Sequence, residues 1–219
     1  MADIAIVDYG MGNLRSVSKA LEHVVPNASI VVTSDPAVVR KAARVVFPGQ
    51  GAMPNCMKEM DLRGLRGAVL EAAASKPFLG ICIGLQMLFE VSAEGNVKGL
   101  GILPGKVIRF PNLSMVDTSG QKLKVPHMGW NQVHQSAEHP MWKGIAKDAR
   151  FYFVHSYFVE TADPGPVAAY SFYPFPFTCA VARDNIFAVQ FHPEKSDMAG
   201  LMLLNNFAQW EPSFRCQDN

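Results

Sequence analysis

The run Pro77-Phe78-Leu79-Gly80-Ile81-Cys82-Ile83-Gly84-Leu85-Gln86-Met87-Leu88-Phe89 limits the possible folds of this chain more than any other segment. It is shorter than the roughly 20 apolar residues that cross a bilayer, and it carries the polar Gln86, so it belongs in a protein core. Its first half reads as a strand and its second as a helix. Glycines two residues to either side of Cys82 give room for a sharp turn between the two. A strand that runs straight into a helix is a repeating joint of α/β folds.

The sequence around it repeats that alternation. Residues 3–10 (DIAIVDYG) form a short apolar strand closed by Gly10. A helix is predicted from about Asn13, with Asn13 as its N-cap and Leu14, Val17 and Leu21 on one face. Residues 29–34 (SIVVTS) and 44–49 (RVVFPG) read as the next strands, the latter ended by Pro48 and Gly49. Residues 61–75 read as a helix and 77–82 as a fourth strand. Alternation of this kind favours a mostly parallel sheet with helices on both faces.

From Gly99 the character changes to short β-rich runs with glycine and proline between them: GILPGKVIRF, KVPHMGWNQV and RFYFVHSYFV. FTCAVARDNIFAVQF reads as a hairpin turning at Asp184-Asn185, and a last helix is expected from about Ser196 to Trp210. The expected fold is α/β, with a β-rich antiparallel C-terminal half. No linker interrupts it, so a single domain over residues 1–219 is expected.

Composition narrows the class. The chain is 49% hydrophobic and 18% charged, which fits a globular protein, and its formal charge of +1 gives no reason to expect nucleic acid or an anionic membrane as partner. The start, MADIAIVDYG, lacks the basic residue and long apolar core of a secretory signal. Cys56, Cys82, Cys179 and Cys216 show neither metal spacing nor a dense disulfide pattern, so the expected setting is reducing and cytoplasmic. No cofactor motif is present: there is no P-loop and no H-E-x-x-H.

The chemistry concentrates at Cys82. A thiol lifted onto a strand–helix turn sits at the positive end of the following helix, which favours thiolate. Near the other end of the chain, Gln190-Phe191-His192-Pro193-Glu194-Lys195-Ser196 supplies a base and a carboxylate. Proline holds the preceding residue extended, and residues two apart in extended chain share a side. Glu194 is therefore expected to hold one nitrogen of His192 and leave the other for the thiol. On the residues alone the chain is a cysteine hydrolase or an amide transferase.

G-x-C-x-G-x-Q with a distant H-P-E resembles the triad-type, class I glutamine amidotransferases. Within them VDYGMGNLRSV, FPGQGAM, PHMGWN, YFVHSYF and QFHPEKS resemble the glutaminase subunits of imidazole glycerol phosphate synthases, over nearly the whole chain. That resemblance implies a flavodoxin-like fold and hydrolysis of L-glutamine by Cys82, His192 and Glu194. It implies ammonia passed to a (β/α)8 cyclase subunit in a heterodimer, and no cofactor or metal. It implies that Gly49, Gln50 and Gly51 form the oxyanion strand, with the amides of Gln50 and Ile83 as donors. Gln86, Glu94, Ser156 and Tyr157 would bind substrate, and Asn13 and Trp130 would face the partner. Glu94 also reads as a solvated helix end, and Trp130 as core packing. Gln50 stands where the family commonly has an apolar residue, and Ile83 where leucine is more usual. A glutaminase serving another synthase, a stand-alone γ-glutamyl hydrolase or cysteine peptidase, and a non-catalytic binding subunit are the alternative readings.

Overall fold

The computed structural model describes residues 2–111, 115, 116, 120 and 122–212. Cys216 lies outside the described residues. The chain begins with strand β1 (Ile4–Val7), helix α1 (Leu14–Val24), strand β2 (Ile30–Thr33) and helix α2 (Pro36–Lys41), then strand β3 (Arg44–Gly49). Val17 and Leu21 are buried on α1 as the spacing predicts. Asn13 precedes α1, but its side chain makes no capping hydrogen bond, so the expected N-cap role is not met.

The single helix expected over 61–75 is instead the junction of two. Helix α3 (Met53–Leu62) buries Met53, Cys56, Met57 and Met60 at helical spacing. The chain then turns through Gly64, whose φ of +65° suits glycine, into helix α4 (Arg66–Ser75). Strand β4 (Phe78–Cys82) and the short helix α5 (Ile83–Met87) follow without a break.

Strands β5 (Phe89–Ser92), β6 (Val97–Lys98), β7 (Leu103–Arg109), β8 (His127–Gln132) and β9 (His134–Gln135) come next. Strands β10 (Arg150–His155), β11 (Tyr157–Thr161), β12 (Val167–Phe172), β13 (Pro176–Arg183) and β14 (Ile186–Val189) precede helix α6 (Asp197–Gln209). The run RFYFVHSYFV is thus cut at Ser156. β10 pairs with β8 in a separate two-stranded sheet, while β11 joins the main one.

The main sheet runs in the order β2-β1-β3-β4-β14-β13-β11-β7-β5-β6. Its first five strands are parallel. β14 then turns at Asp184-Asn185 into antiparallel β13, and β11 and β7 continue antiparallel. β1, β4 and β14 are buried at every residue, as expected for strands covered on both faces. Helices α1 and α6 pack on each other, as do α2 and α4.

Candidate active site

β3, β4 and β14 are neighbours, and their carboxyl ends carry the residues singled out above. Gly49 and Cys82 are register partners at the ends of β3 and β4, and β14 ends one residue before Gln190. Sites in open α/β sheets collect at such strand ends.

Cys82 takes φ 55° and ψ −110°, a conformation that costs a non-glycine residue free energy. The flanking glycines make that turn possible by allowing close approach. A Cβ on Gly84 would lie 1.8 Å from the Phe47 carbonyl oxygen. One on Gly80 would lie 2.9 Å from the Ala188 Cβ. The elbow is therefore wedged between β3 and β14.

His192 and Glu194 meet as expected: Nδ1 lies 2.8 Å from Glu194 Oε1, and both side chains are buried. The expected reason differs. Pro193–Lys195 form a 3₁₀ turn, so this turn, rather than extended alternation, folds Glu194 back onto the ring. The Ser196 hydroxyl anchors the segment, donating to the His192 carbonyl at 2.7 Å and accepting from the Tyr152 amide at 2.9 Å. Burial pushes the His192 pKa down, but the nearby Cys82 sulfur and the Glu194 carboxylate outweigh it and raise it to about 10. His192 Nε2 has no hydrogen-bond partner, and no hydrogen bond of normal geometry joins it to Cys82.

Cys82 and His192 line one cavity of about 340 Å³ together with Gln50, Gly51, Ile83, Gln86, Glu94, Ser156 and Tyr157. Gly49 stands behind it. Its Cα faces the buried Tyr9 hydroxyl, which would lie 2.0 Å from a Cβ there and which donates to the Pro48 carbonyl at 2.9 Å. The Cys56 thiol donates to the Gln50 carbonyl at 3.7 Å. The sequence reading singled out neither Tyr9 nor Cys56 as a support of this strand.

Gln86 is buried, and its Nε2 donates to the Tyr157 carbonyl (3.1 Å) and to Gln190 Oε1 (3.0 Å). Both amide hydrogens are thus used, and Oε1 is left without a partner. Gln86 thus holds a buried acceptor without a partner beside the cavity it lines. Gln190, quoted in a motif but given no role, also donates to the Cys82 sulfur at 3.7 Å. Glu94 does not end a helix. It sits between β5 and β6, and its Oε2 accepts from the Met53 amide at the start of α3 (2.8 Å).

Trp130 is 40% exposed, so it is not core packing. It meets Tyr152 edge-on at 6.2 Å across β8 and β10. Among the described residues no group of His, Cys, Asp and Glu is arranged to hold a metal, and no helix is long and apolar enough to cross a membrane.

Residues 5–209 match the family described as glutamine amidotransferase class-I, and the chain belongs to that family. Solved structures agree on the fold. A glutamine amidotransferase superposes with a TM-score of 0.70 at 16% identity, over 95% of this chain and 100% of that one. The glutaminase domain of CTPS from Trypanosoma brucei, with bound acivicin, gives 0.63 at 16% identity, over 98% and 96%. The particular member is set by closer relatives. Over 212 residues the chain is 72% identical to imidazole glycerol phosphate synthase subunit HisH of Nitrosospira multiformis, covering 97% of this chain and 100% of the relative. Against the same subunit of Aromatoleum aromaticum it is 70% identical with the same coverage. Within the class-I amidotransferases, the chain is a member of the HisH subunits.

Proposed function

We propose that this chain is the glutaminase subunit of an imidazole glycerol phosphate synthase, a single amidotransferase domain with Cys82 as nucleophile. The observation that carries the reading is the cavity itself. It joins a thiol on a strained elbow, an imidazole held by a buried carboxylate, and a buried carboxamide oxygen with no partner.

In this reading Gln86 Oε1 accepts from the α-ammonium group of glutamine. The Cys82 thiolate attacks the side-chain carboxamide carbon, and the amides of Ile83 and Gln50 hold the oxyanion. Collapse breaks the C–N bond while His192 Nε2 delivers its proton to the departing nitrogen, and ammonia leaves. His192, now neutral, takes a proton from water. The resulting hydroxide attacks the thioester, glutamate leaves, and the thiol is restored. Glu194 keeps Nδ1 protonated and offsets the charge on the ring. No metal or cofactor takes part.

The ammonia passes to a (β/α)8 cyclase subunit in a heterodimer. There it reacts with a phosphorylated ribulosyl aminoimidazole carboxamide to give imidazole glycerol phosphate and an aminoimidazole carboxamide ribotide. The partner surface we assign is the outward face of β8 and β10, with Trp130 at 40% exposure, together with Asn13, whose side chain is not spent on a cap. The free thiols Cys56, Cys82 and Cys179 suit a cytoplasmic setting.

The test is to mix the chain with the cyclase subunit and its acceptor, supply glutamine labelled with ¹⁵N in the side-chain amide, and follow the label. Label in the imidazole product, with one glutamate formed per product, is expected. Glutamate release that is equally fast without the partner, with no label transferred, would favour a stand-alone hydrolase and overturn the reading.

A further inference from the structure

A buried line of hydrogen bonds runs from the β8 strand to the glutamine cavity, and its directions are fixed. His155 Nδ1 faces the Tyr157 carbonyl at 2.8 Å, so Nδ1 must carry the proton. Burial pushes His155 down to about 3 and His127 to about 4, so each ring is neutral and has one N–H. His155 Nε2 is then a bare acceptor, and it lies 2.9 Å from His127 Nδ1. His127 therefore donates, and its own Nε2 accepts from Asn131 Nδ2 at 3.3 Å. The line ends at the Tyr157 carbonyl, which also receives Gln86 Nε2. Packing leaves the rings little freedom: His127 is stacked between Tyr173 (4.0 Å) and Phe153 (4.9 Å).

We propose that His127 is a positioning residue for glutamine recognition: its Nδ1–H bonds His155 Nε2 and holds that ring in the orientation that pins the Tyr157 carbonyl, and so aims Gln86 Oε1 at the substrate's α-ammonium group. This rests on the glutaminase function above. Without the His127 donor, His155 Nε2 is a buried acceptor with no partner, and the ring loses the bond that fixes its orientation. The Nδ1–H bond to the Tyr157 carbonyl would weaken with it and loosen the start of β11, where Gln86 is anchored. His127 touches neither substrate nor thiol, and it sits on the strand that presents Trp130 and Met128 to solvent.

The experiment uses the complete synthase complex. Steady-state glutamine hydrolysis is measured for wild type, His127→Phe and His127→Asn, because an asparagine Nδ2 falls where histidine Nδ1 was and keeps the donor. Cys82 alkylation is followed by mass spectrometry with two glutamine-shaped chloroketones, one with and one without the α-amino group. In each, the S–C bond forms as chloride leaves. His127→Phe is expected to raise KM for glutamine about 10-fold, the scale of one weakened hydrogen bond to a charged group, with kcat within about 3-fold. It should slow only the amino-bearing reagent, and His127→Asn should stay within about 2-fold of wild type. An unchanged KM in His127→Phe, equal slowing of both reagents, or no rescue by asparagine would overturn the proposal. Long-range ¹H–¹⁵N spectra of the wild-type imidazoles test it without any variant: His155 must be the Nδ1–H tautomer, and the Nε2–H form would contradict it. Failure of wild type to hydrolyse glutamine, or alkylation at a cysteine other than Cys82, would instead overturn the function itself.

Discussion

Gly49 and Cys82 face each other across two parallel strands, paired in register at their last residues. One backbone bond pattern thus sets both where the thiol stands and where the Gln50 amide stands. In the proposed reaction, the spacing of nucleophile and oxyanion donor is inherited from the β3–β4 ladder.

That ladder explains a sharp sensitivity at Gly49. A methyl there would strike the Tyr9 hydroxyl and would also sit tightly against Ile83 Cβ, at 3.1 Å. Gly49→Ala is expected to cost about 1–3 kcal/mol of stability through overpacking. Placing it on Tyr9→Phe, which removes the hydroxyl, should recover about half of that. Urea unfolding of the two single variants and the double variant measures the coupling; strict additivity would rule out the Tyr9 contact as the cause.

Glu194 is read as orienting His192 without itself transferring a proton. Glu194→Gln should lower kcat by at least about 10-fold, through loss of the charge that favours the imidazolium, yet leave more activity than Cys82→Ala or His192→Ala. Loss as complete as for Cys82→Ala would point to a direct role for the carboxylate.

Stability should depend on pH through the buried histidines. A free histidine titrates near 6.5. Burial, with the neighbouring imidazole adding to it at His155, holds His127 and His139 down to about 4 and His155 to about 3. The unfolded chain therefore binds protons that the folded chain refuses. The stabilisation is complete above about pH 6.5 and is lost as pH falls towards 4. His192, raised to about 10, acts in the opposite sense: its contribution is complete below about 6.5 and fades as pH rises towards 10. Urea titrations should show a loss of at least about 2 kcal/mol between pH 7 and pH 5. A flat profile over that range would contradict the neutral state of these three rings.

The partner surface makes a separate prediction. Trp130→Ala removes an exposed aromatic that the fold does not need, so unfolding should shift little. Affinity for the cyclase subunit should fall at least about 10-fold, as for a central aromatic anchor. Calorimetric titration of the two subunits decides it; unchanged affinity would move the interface elsewhere.

The motifs were legible in the sequence because each is local. Gly80-Ile81-Cys82-Ile83-Gly84 announces its own turn, and His192-Pro193-Glu194 its own pair. What joins them is not local: β14 lies beside β4 only because the sheet order makes it so. Helix α3 lies mostly outside the expected 61–75 helix although Met53, Cys56, Met57 and Met60 have helical spacing, and Pro54 stands in its first turn. Proline in the first turn is in fact tolerated. Cutting RFYFVHSYFV at Ser156 sends its halves to different sheets, and both halves have the same β-prone composition. The roles of Gln190 and Tyr9 depend on contacts with residues 108 and 39 positions away, which no window of sequence contains.

The central claim is that Cys82 supplies ammonia and does nothing else. The most direct measurement runs the complete complex carrying Cys82→Ala on glutamine and, separately, on an ammonium salt. Glutamine-driven synthesis should vanish, while ammonium-driven synthesis stays at the wild-type rate. Loss of both from a folded complex, or synthesis on glutamine that survives the substitution, would contradict it.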